Sequence, residues 1–263
     1  MFRSVSFHPK FAATLEAIFC IVMLWWLKNL GVWWVLFLWI FFRLALLAAL
    51  ARLVYYPPQL NRWHHFFSLL IFYAGVMSLL LFIEWPWAWY LTAMIFVFFP
   101  AFSFWLLPPQ EVKLAFMSKS HRSWRFIMST IGISGLYAGI WATFTFQIVE
   151  SSYKFLWLGA VAAVSSLVAG WWWREYGIEK NKQFFLWLGA WFLINYELFW
   201  ALTALPIGYL AGGLTMGWIW YVLWLLARFY LSKEGLNWQK QRVFVIINIF
   251  LLLLFLIFIV RWK

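Results

Sequence analysis

The sequence predicts an all-α integral membrane protein, a polytopic helix bundle that crosses the bilayer about nine times. Apolar residues make up 67% of its 263 residues and charged residues only 11%, whereas a soluble domain is roughly half apolar and about one quarter charged. The apolar runs reach or approach the roughly 20 residues that a helix needs to cross the hydrocarbon. They are apolar on all sides and lack the alternation of barrel strands, so helices are the spanning structure that fits.

The apolar runs predict one leading helix followed by four helical hairpins, each hairpin closed by a basic loop. In chain order the predicted spans are 11–27, 32–53, 64–83, 87–107, 124–147, 154–173, 184–204, 209–230 and 243–261. The longest polar loop, 108–123, is too short to fold separately, so we expect a single transmembrane domain, residues 1–263, without a soluble domain. No small-residue cleavage site follows the first span, and we expect that span to be retained.

Lysine and arginine lie mainly on one side of the predicted spans, which determines the expected orientation. With the amino terminus in the cytoplasm, fifteen basic residues fall on the inner side and four on the outer side. The carboxyl terminus is then expected outside, in a multi-pass protein of the plasma (cytoplasmic) membrane. This topology explains the net charge of +12, so the expected partner is the lipid bilayer and not nucleic acid.

Glycines on two predicted helices indicate where helices approach closely. Span 124–147 contains a Gly-x-x-x-Gly spacing, and so does the beginning of span 209–230. In lipid, backbone contact through such faces supplies much of the association between helices. The glycines predicted to pack helices are Gly132, Gly135, Gly139, Gly208, Gly212, Gly213 and Gly217. The alternative is that these faces bind another membrane subunit or a second copy of the chain.

Most classes of membrane enzyme lack their characteristic residues in this sequence. All eight acidic residues are glutamate, which excludes aspartyl intramembrane proteases and Asp-rich magnesium–diphosphate sites. The four residues Gly132-Ile133-Ser134-Gly135 resemble the serine motif of rhomboid intramembrane proteases, but no histidine follows His121 to act as the base. No zinc-binding motif and no Walker A sequence is present. We therefore predict no metal, no cofactor and no catalytic residue, and an enzyme is the least favoured class.

Polar residues inside the spans are the remaining candidates for function. Ionisable groups there are costly and mostly face a helix interior or a water path. Arg43 lies about 15 Å and Glu197 about 20 Å from the inner boundary, which allows an Arg43–Glu197 ion pair. Glu16 lies about 8 Å from that boundary, within reach of Arg52 or of water. The candidate residues of a polar path are Glu16, Arg43, Asn195 and Glu197.

Two function classes stay open after these exclusions. The first is a small secondary transporter or channel-like protein that moves a small solute or ion along a path lined by these four residues. The second is a non-catalytic accessory or scaffold subunit of a membrane complex, which the short loops and the few intramembrane polar groups favour. In either class the buried charges have the alternative role of a neutralised pair that fixes helix register. We favour transport, because a buried arginine and buried glutamates require a reason.

Overall fold

The structure is a computed structural model, and it describes residues 8–29, 32–56, 60–107, 115–179, 181–232 and 238–259. The described residues form nine α-helices, which confirms the prediction of an all-α fold. They are α1 (Pro9–Asn29), α2 (Val32–Leu53), α3 (Arg62–Phe82), α4 (Pro86–Trp105), α5 (Ala115–Thr145), α6 (Lys154–Glu175), α7 (Lys182–Thr203), α8 (Tyr209–Leu231) and α9 (Trp238–Leu254). A 3-10 turn, Ser151–Tyr153, precedes α6, and a π-helical turn, Phe255–Ile259, follows α9.

Eight segments of the described helices are long and apolar enough to cross a membrane. They are α1, α3, α4, the part of α5 from Lys119–Thr145, α6, α7, α8 and the segment Gln241–Phe258. The protein is therefore a multi-pass integral membrane protein. The second helix, α2, has 22 residues and thus the length of a span. Its crossing, and the orientation with an inner amino terminus, stay predictions.

One helix, α5, is much longer than the span predicted for it. It begins at Ala115, nine residues before the predicted start at 124, and has 31 residues. The residues between Ala115 and Trp124 are partly polar but include no glycine or proline, so they can continue the helix outside the hydrocarbon. At 1.5 Å per residue α5 is about 46 Å long, whereas the hydrocarbon is about 30 Å thick. The part of the predicted loop 108–123 from Ala115 onward is therefore helical.

Internal contacts divide the chain into two compact units. Unit 1 comprises Met1–Tyr73 and Ile83–Ser129, and unit 2 comprises Ala74–Phe82 and Thr130–Lys263. The division falls within α3 and α5, so each of these two helices contributes residues to both units.

The core of unit 1 is built from aromatic rings. Here α1 packs against α2 and α4. The ring of Trp39 in α2 lies edge-on to Tyr73 in α3, with centroids 6.2 Å apart, and 6.3 Å from Phe96 in α4. Tyr73 and Phe96 also meet edge-to-face at 5.3 Å. Such edge-to-face pairs stabilise packing beyond the area that they bury. They hold α2, α3 and α4 together.

Unit 2 contains close backbone contacts at its glycines. A Cβ added to Gly75 in α3 would overlap the backbone of Gly132 in α5. In the same way, a Cβ added to Gly213 in α8 would lie 2.6 Å from the backbone nitrogen of Ala138 in α5. There is no room for a side chain at either contact, so glycine is required for the helices to approach this closely.

Most of the glycines predicted to pack helices lie at contacts of this kind within unit 2. A Cβ would collide with Gly75 at Gly135, with Ser78 at Gly139, with Trp141 at Gly212 and with Ser134 at Gly217. Gly208 differs, because it is the N-cap of α8 and a Cβ there would meet no atom within 4 Å. No described residue of the chain therefore packs against Gly208, and its predicted packing role stays a prediction. The other glycine faces of α5 and α8 are filled from within the same unit.

Candidate functional site

Arg43 in α2 forms an ion pair with Glu16 in α1, through its Nη2 and the Oε1 of the glutamate. Both side chains are buried, with 2% of Arg43 and none of Glu16 exposed. The predicted Arg43–Glu197 pair is therefore wrong, and Arg52, the partner considered for Glu16, is exposed. The physical reason is chain order. Only residues 30–31 separate α1 from α2, and consecutive helices with a short connection are usually neighbours.

Tyr73 and Cys20 complete the surroundings of this ion pair. The Tyr73 hydroxyl donates to the same Glu16 oxygen that Arg43 uses. The guanidinium lies over the Tyr73 ring, with Cζ 3.4 Å from the ring centroid, an arrangement that stabilises a cation. The Arg43 Nη2 is also 3.8 Å from the Cys20 Sγ. We call these four side chains from α1, α2 and α3 the Glu16–Arg43 site.

The Glu16–Arg43 site has more hydrogen-bonding groups than partners among the described residues. The Oε2 of Glu16 and the Nε and Nη1 of Arg43 are buried and have no hydrogen-bond partner there. The Nε1 of Trp39, whose ring packs on Tyr73, also has none. A pair that only connects two helices is most favourable when all its polar atoms are satisfied. The site thus has one acceptor and three donors that form no hydrogen bond with the described residues.

Asn195 belongs to a separate hydrogen-bonded network in unit 2. Its Nδ2 donates to the Trp191 carbonyl at 2.7 Å, and its Oδ1 accepts from the Tyr137 hydroxyl at 3.1 Å. The Tyr137 oxygen is also 2.8 Å from the Ser165 hydroxyl. These bonds connect α5, α6 and α7 in the buried core. Because the groups satisfy one another, this network stabilises helix packing.

Glu197, the fourth candidate, lies on the exposed surface of α7. It has neither an ion pair nor a hydrogen bond with any other described residue. Its neighbours one turn away in either direction, Leu193 and Trp200, are large, apolar and exposed as well. The side chain therefore projects from an apolar helix surface. The predicted role in a buried path had placed it in the interior.

His65 forms a second polar cluster in unit 1, which was not predicted from the sequence. Its Nε2 lies 2.7 Å from the Ser103 Oγ and its Nδ1 2.8 Å from the Tyr56 hydroxyl. The Ser103 hydroxyl donates to the Pro100 carbonyl, so His65 Nε2 carries the proton and Nδ1 accepts from Tyr56. Burial raises the pKa of Tyr56, which keeps its hydroxyl protonated. Both ring nitrogens of His65 are therefore hydrogen-bonded, and the bond to Ser103 connects α3 to α4.

Cys20 and Tyr73 are the members of the Glu16–Arg43 site that were not predicted from the sequence. Cys20 follows Glu16 by four residues, and residues with this spacing share one face of a helix. That pattern could have placed the thiol beside the carboxylate. No comparable signal exists for Tyr73, because its contact depends on how α3 packs against α1 and α2.

The described residues include no group of three or more histidine, cysteine or acidic side chains that could hold a metal ion. Comparison of the chain with protein-family models, with curated proteins and with solved structures finds no match. Of the four residues predicted for a polar path, Glu16 and Arg43 thus form one candidate functional site and the exposed Glu197 is a second.

Proposed function

We propose that the protein is a small proton-linked membrane transporter in which the Glu16–Arg43 site binds the proton. The observation that supports this proposal is an enclosed ion pair with buried polar atoms to spare. Ionisable residues inside a bilayer are costly and often mark ion or proton pathways. Oε2 of Glu16 can accept a proton while Oε1 keeps its bonds to Arg43 and Tyr73.

Proton binding by Glu16 provides a simple means of coupling to a solute. A neutral carboxyl no longer compensates the charge of Arg43, so the guanidinium requires another anion. The Nε and Nη1 donors that lack partners among the described residues are suited to a small anionic group. In this scheme a proton and a small anion occupy the site together. Asn195, bonded within unit 2, and the exposed Glu197 lie outside this scheme.

Proton uptake by liposomes that contain the purified chain tests the transport proposal. An inward proton gradient, with chloride outside as the small anion, supplies the driving force, and a trapped pH dye reports the uptake. We expect faster acidification than in empty vesicles, and Glu16→Gln should reduce the rate to that of empty vesicles. Glu84→Gln is the matched control, because Glu84 is exposed and lies outside the helices. Uptake no faster than in empty vesicles, or unchanged uptake with Glu16→Gln, contradicts the proposal.

A non-catalytic subunit of a membrane complex is the second candidate function, and the exposed Glu197 favours it. A carboxylate that faces lipid is unfavourable in an isolated chain, so a neighbouring protein that covers it lowers the free energy. Cross-linking in the native membrane followed by native electrophoresis tests this proposal. We expect a complex of defined size, and migration of the chain alone at every cross-linker concentration would contradict it.

A further inference from the structure

One face of α7 is exposed and apolar except for Glu197. Residues that follow one another by three or four positions lie on the same side of a helix. The α7 face, as we define it, consists of Leu186, Ala190, Leu193, Glu197 and Trp200, and all of them are exposed. The buried residues of the same helix, on its opposite side, are Phe184, Trp191, Asn195 and Phe199.

We propose that the α7 face binds a transmembrane helix of a different membrane protein, and that this helix carries a lysine or arginine at the depth of Glu197. The inference rests on the subunit proposal and specifies the chemistry of the partner. It is independent of transport through the Glu16–Arg43 site, which lies in unit 1.

The position of Glu197 along α7 places its carboxylate within the hydrocarbon. The residue lies six positions before the end of the helix at Thr203, which corresponds to about 9 Å. Lysine and arginine have long stems that let their charges reach the interface from such a depth, but the glutamate side chain is shorter. A basic residue on a neighbouring helix therefore neutralises Glu197 more effectively than the distant headgroups do.

The described part of a second copy of this chain does not supply the required cation. The described lysine and arginine residues that lie at least six positions from either end of a helix, as Glu197 does, are Arg43, Arg122 and Arg125. Arg43 and Arg125 are only 2% exposed, Arg43 is paired with Glu16, and Arg122 lies in the part of α5 that precedes the predicted span 124–147. Symmetric contact between two α7 faces would also bring one Glu197 against the other, and like charges repel. The occupant that satisfies Glu197 is therefore a different chain.

Gly189 allows a partner helix to approach α7 closely. It adjoins Ala190, is exposed, and a Cβ added to it would meet no atom within 4 Å. Small residues on a helix surface let two backbones come together in lipid, where dispersion contacts and polar bonds drive association. Gly189 precedes Glu197 by eight residues, so one partner helix can contact both.

Synthetic transmembrane peptides test this inference on the full chain in liposomes. Each peptide is a helix of leucine and alanine with one lysine, and its matched peptide has leucine at that position. Energy transfer between the labelled chain and a labelled peptide should saturate at a lower peptide concentration for the lysine peptide than for the leucine peptide. Moving the lysine along the peptide should give the tightest binding at the depth of Glu197. The lysine preference should disappear with Glu197→Gln and persist with the control Glu84→Gln.

Gly189→Leu provides a second variant that does not alter the charge. Since Gly189 faces open space, the substitution should leave folding unchanged and weaken the binding of both peptides. Equal binding of the lysine and leucine peptides to the unmodified chain overturns the inference, and so does a lysine preference that survives Glu197→Gln. Energy transfer between two copies of the chain that depends on Glu197 also overturns it, because the occupant would then be a second copy.

Failure of this inference can be distinguished from failure of the subunit proposal. A native complex that persists unchanged when the chain carries Glu197→Gln overturns the inference and leaves the subunit proposal standing. Absence of any native complex overturns the subunit proposal itself.

Discussion

Arg43 and Glu16 meet inside membrane-spanning helices, where either charge alone would be unfavourable. A single charged residue at the centre of a membrane helix costs about 3 kcal/mol on insertion scales, and the opposite charges of this pair compensate one another. Tyr73 contributes a hydrogen bond to the same glutamate oxygen. Removal of one partner therefore leaves a buried charge without compensation, whereas removal of both leaves no buried charge.

Replacement of Glu16 and Arg43 together should be better tolerated than replacement of Glu16 alone. Glu16→Leu leaves Arg43 without its carboxylate and should lower the free energy of unfolding by about 3 kcal/mol or more. The double variant, Glu16→Leu with Arg43→Met, should recover much of this loss because no buried charge remains. Thermal unfolding in detergent, followed by circular dichroism, measures both. A double variant less stable than Glu16→Leu would show that the pair does not cause the loss.

Tyr73→Phe should have a smaller effect than loss of either charge. The substitution removes the hydroxyl that donates to Glu16 but keeps the ring beneath Arg43, so stability should fall by about 1 kcal/mol. Tyr90→Phe is the control, because Tyr90 is 56% exposed, and it should leave the unfolding temperature unchanged. Equal effects of the two substitutions would mean that the Tyr73 hydrogen bond contributes nothing to the stability of the fold.

The sequence predicted which charges lie inside helices, but not which of them meet. Glu16 and Arg43 were identifiable because an ionisable residue within an apolar run is conspicuous. The pairing of Arg43 with Glu197 failed because a similar depth in the membrane does not specify which helices are neighbours. The sequence also did not predict that Glu197 points outward. The helix α7 is apolar on all sides, so hydropathy does not distinguish its buried face from its exposed face.

At the level of the helices, α5 provides many of the close contacts in unit 2. Its glycines lie against α3 at Gly75 and Ser78. Its other small and aromatic residues lie against the glycines of α8, as with Ala138 at Gly213. Larger residues at these contacts would force the helix axes apart, because the nearest atoms belong to backbone or to residues fixed in the core.

Gly135→Leu should destabilise the fold, whereas Gly189→Leu should not. A side chain at Gly135 collides with the backbone of Gly75, and overpacking of this kind typically costs about 1–3 kcal/mol or more. Gly189 lies on the exposed side of α7 with open space around its Cβ position, so it is a matched control. Thermal unfolding of the two variants compares them. Similar unfolding temperatures would show that the contact between α3 and α5 is not as tight as described.

The predicted helix bounds were accurate where charged residues mark the membrane boundary. The span predicted at 154–173 corresponds to α6, Lys154–Glu175, because basic residues stand near both ends. The early part of α5 was not predicted, since a polar helical segment outside the hydrocarbon gives no hydropathy signal. Glycine spacing predicted helix packing but not the partner helix, because a Gly-x-x-x-Gly pattern says nothing about the surface that it meets.

For the whole molecule, the distribution of basic residues predicts nine crossings with the amino terminus inside and the carboxyl terminus outside. Reporter fusions placed after Lys113 and after Lys263 test this orientation. The first fusion should report the cytoplasm and the second the outer side. The same side for both fusions would mean that the number of crossings between them is even, and that the predicted span count is wrong.

The accessibility of Cys20 tests most directly whether the Glu16–Arg43 site is an enclosed site that opens during transport. Cys20 is the single cysteine of the chain, it is buried, and its Sγ lies 3.8 Å from the Arg43 Nη2, so it reports on the site without any substitution. We predict that a small charged thiol reagent leaves Cys20 unmodified in liposomes at rest. The reagent should modify it when an inward proton gradient with external chloride drives transport through the protein, and proton uptake should then stop. Rapid modification without a gradient, or proton uptake that continues after complete modification, would contradict an enclosed transport site.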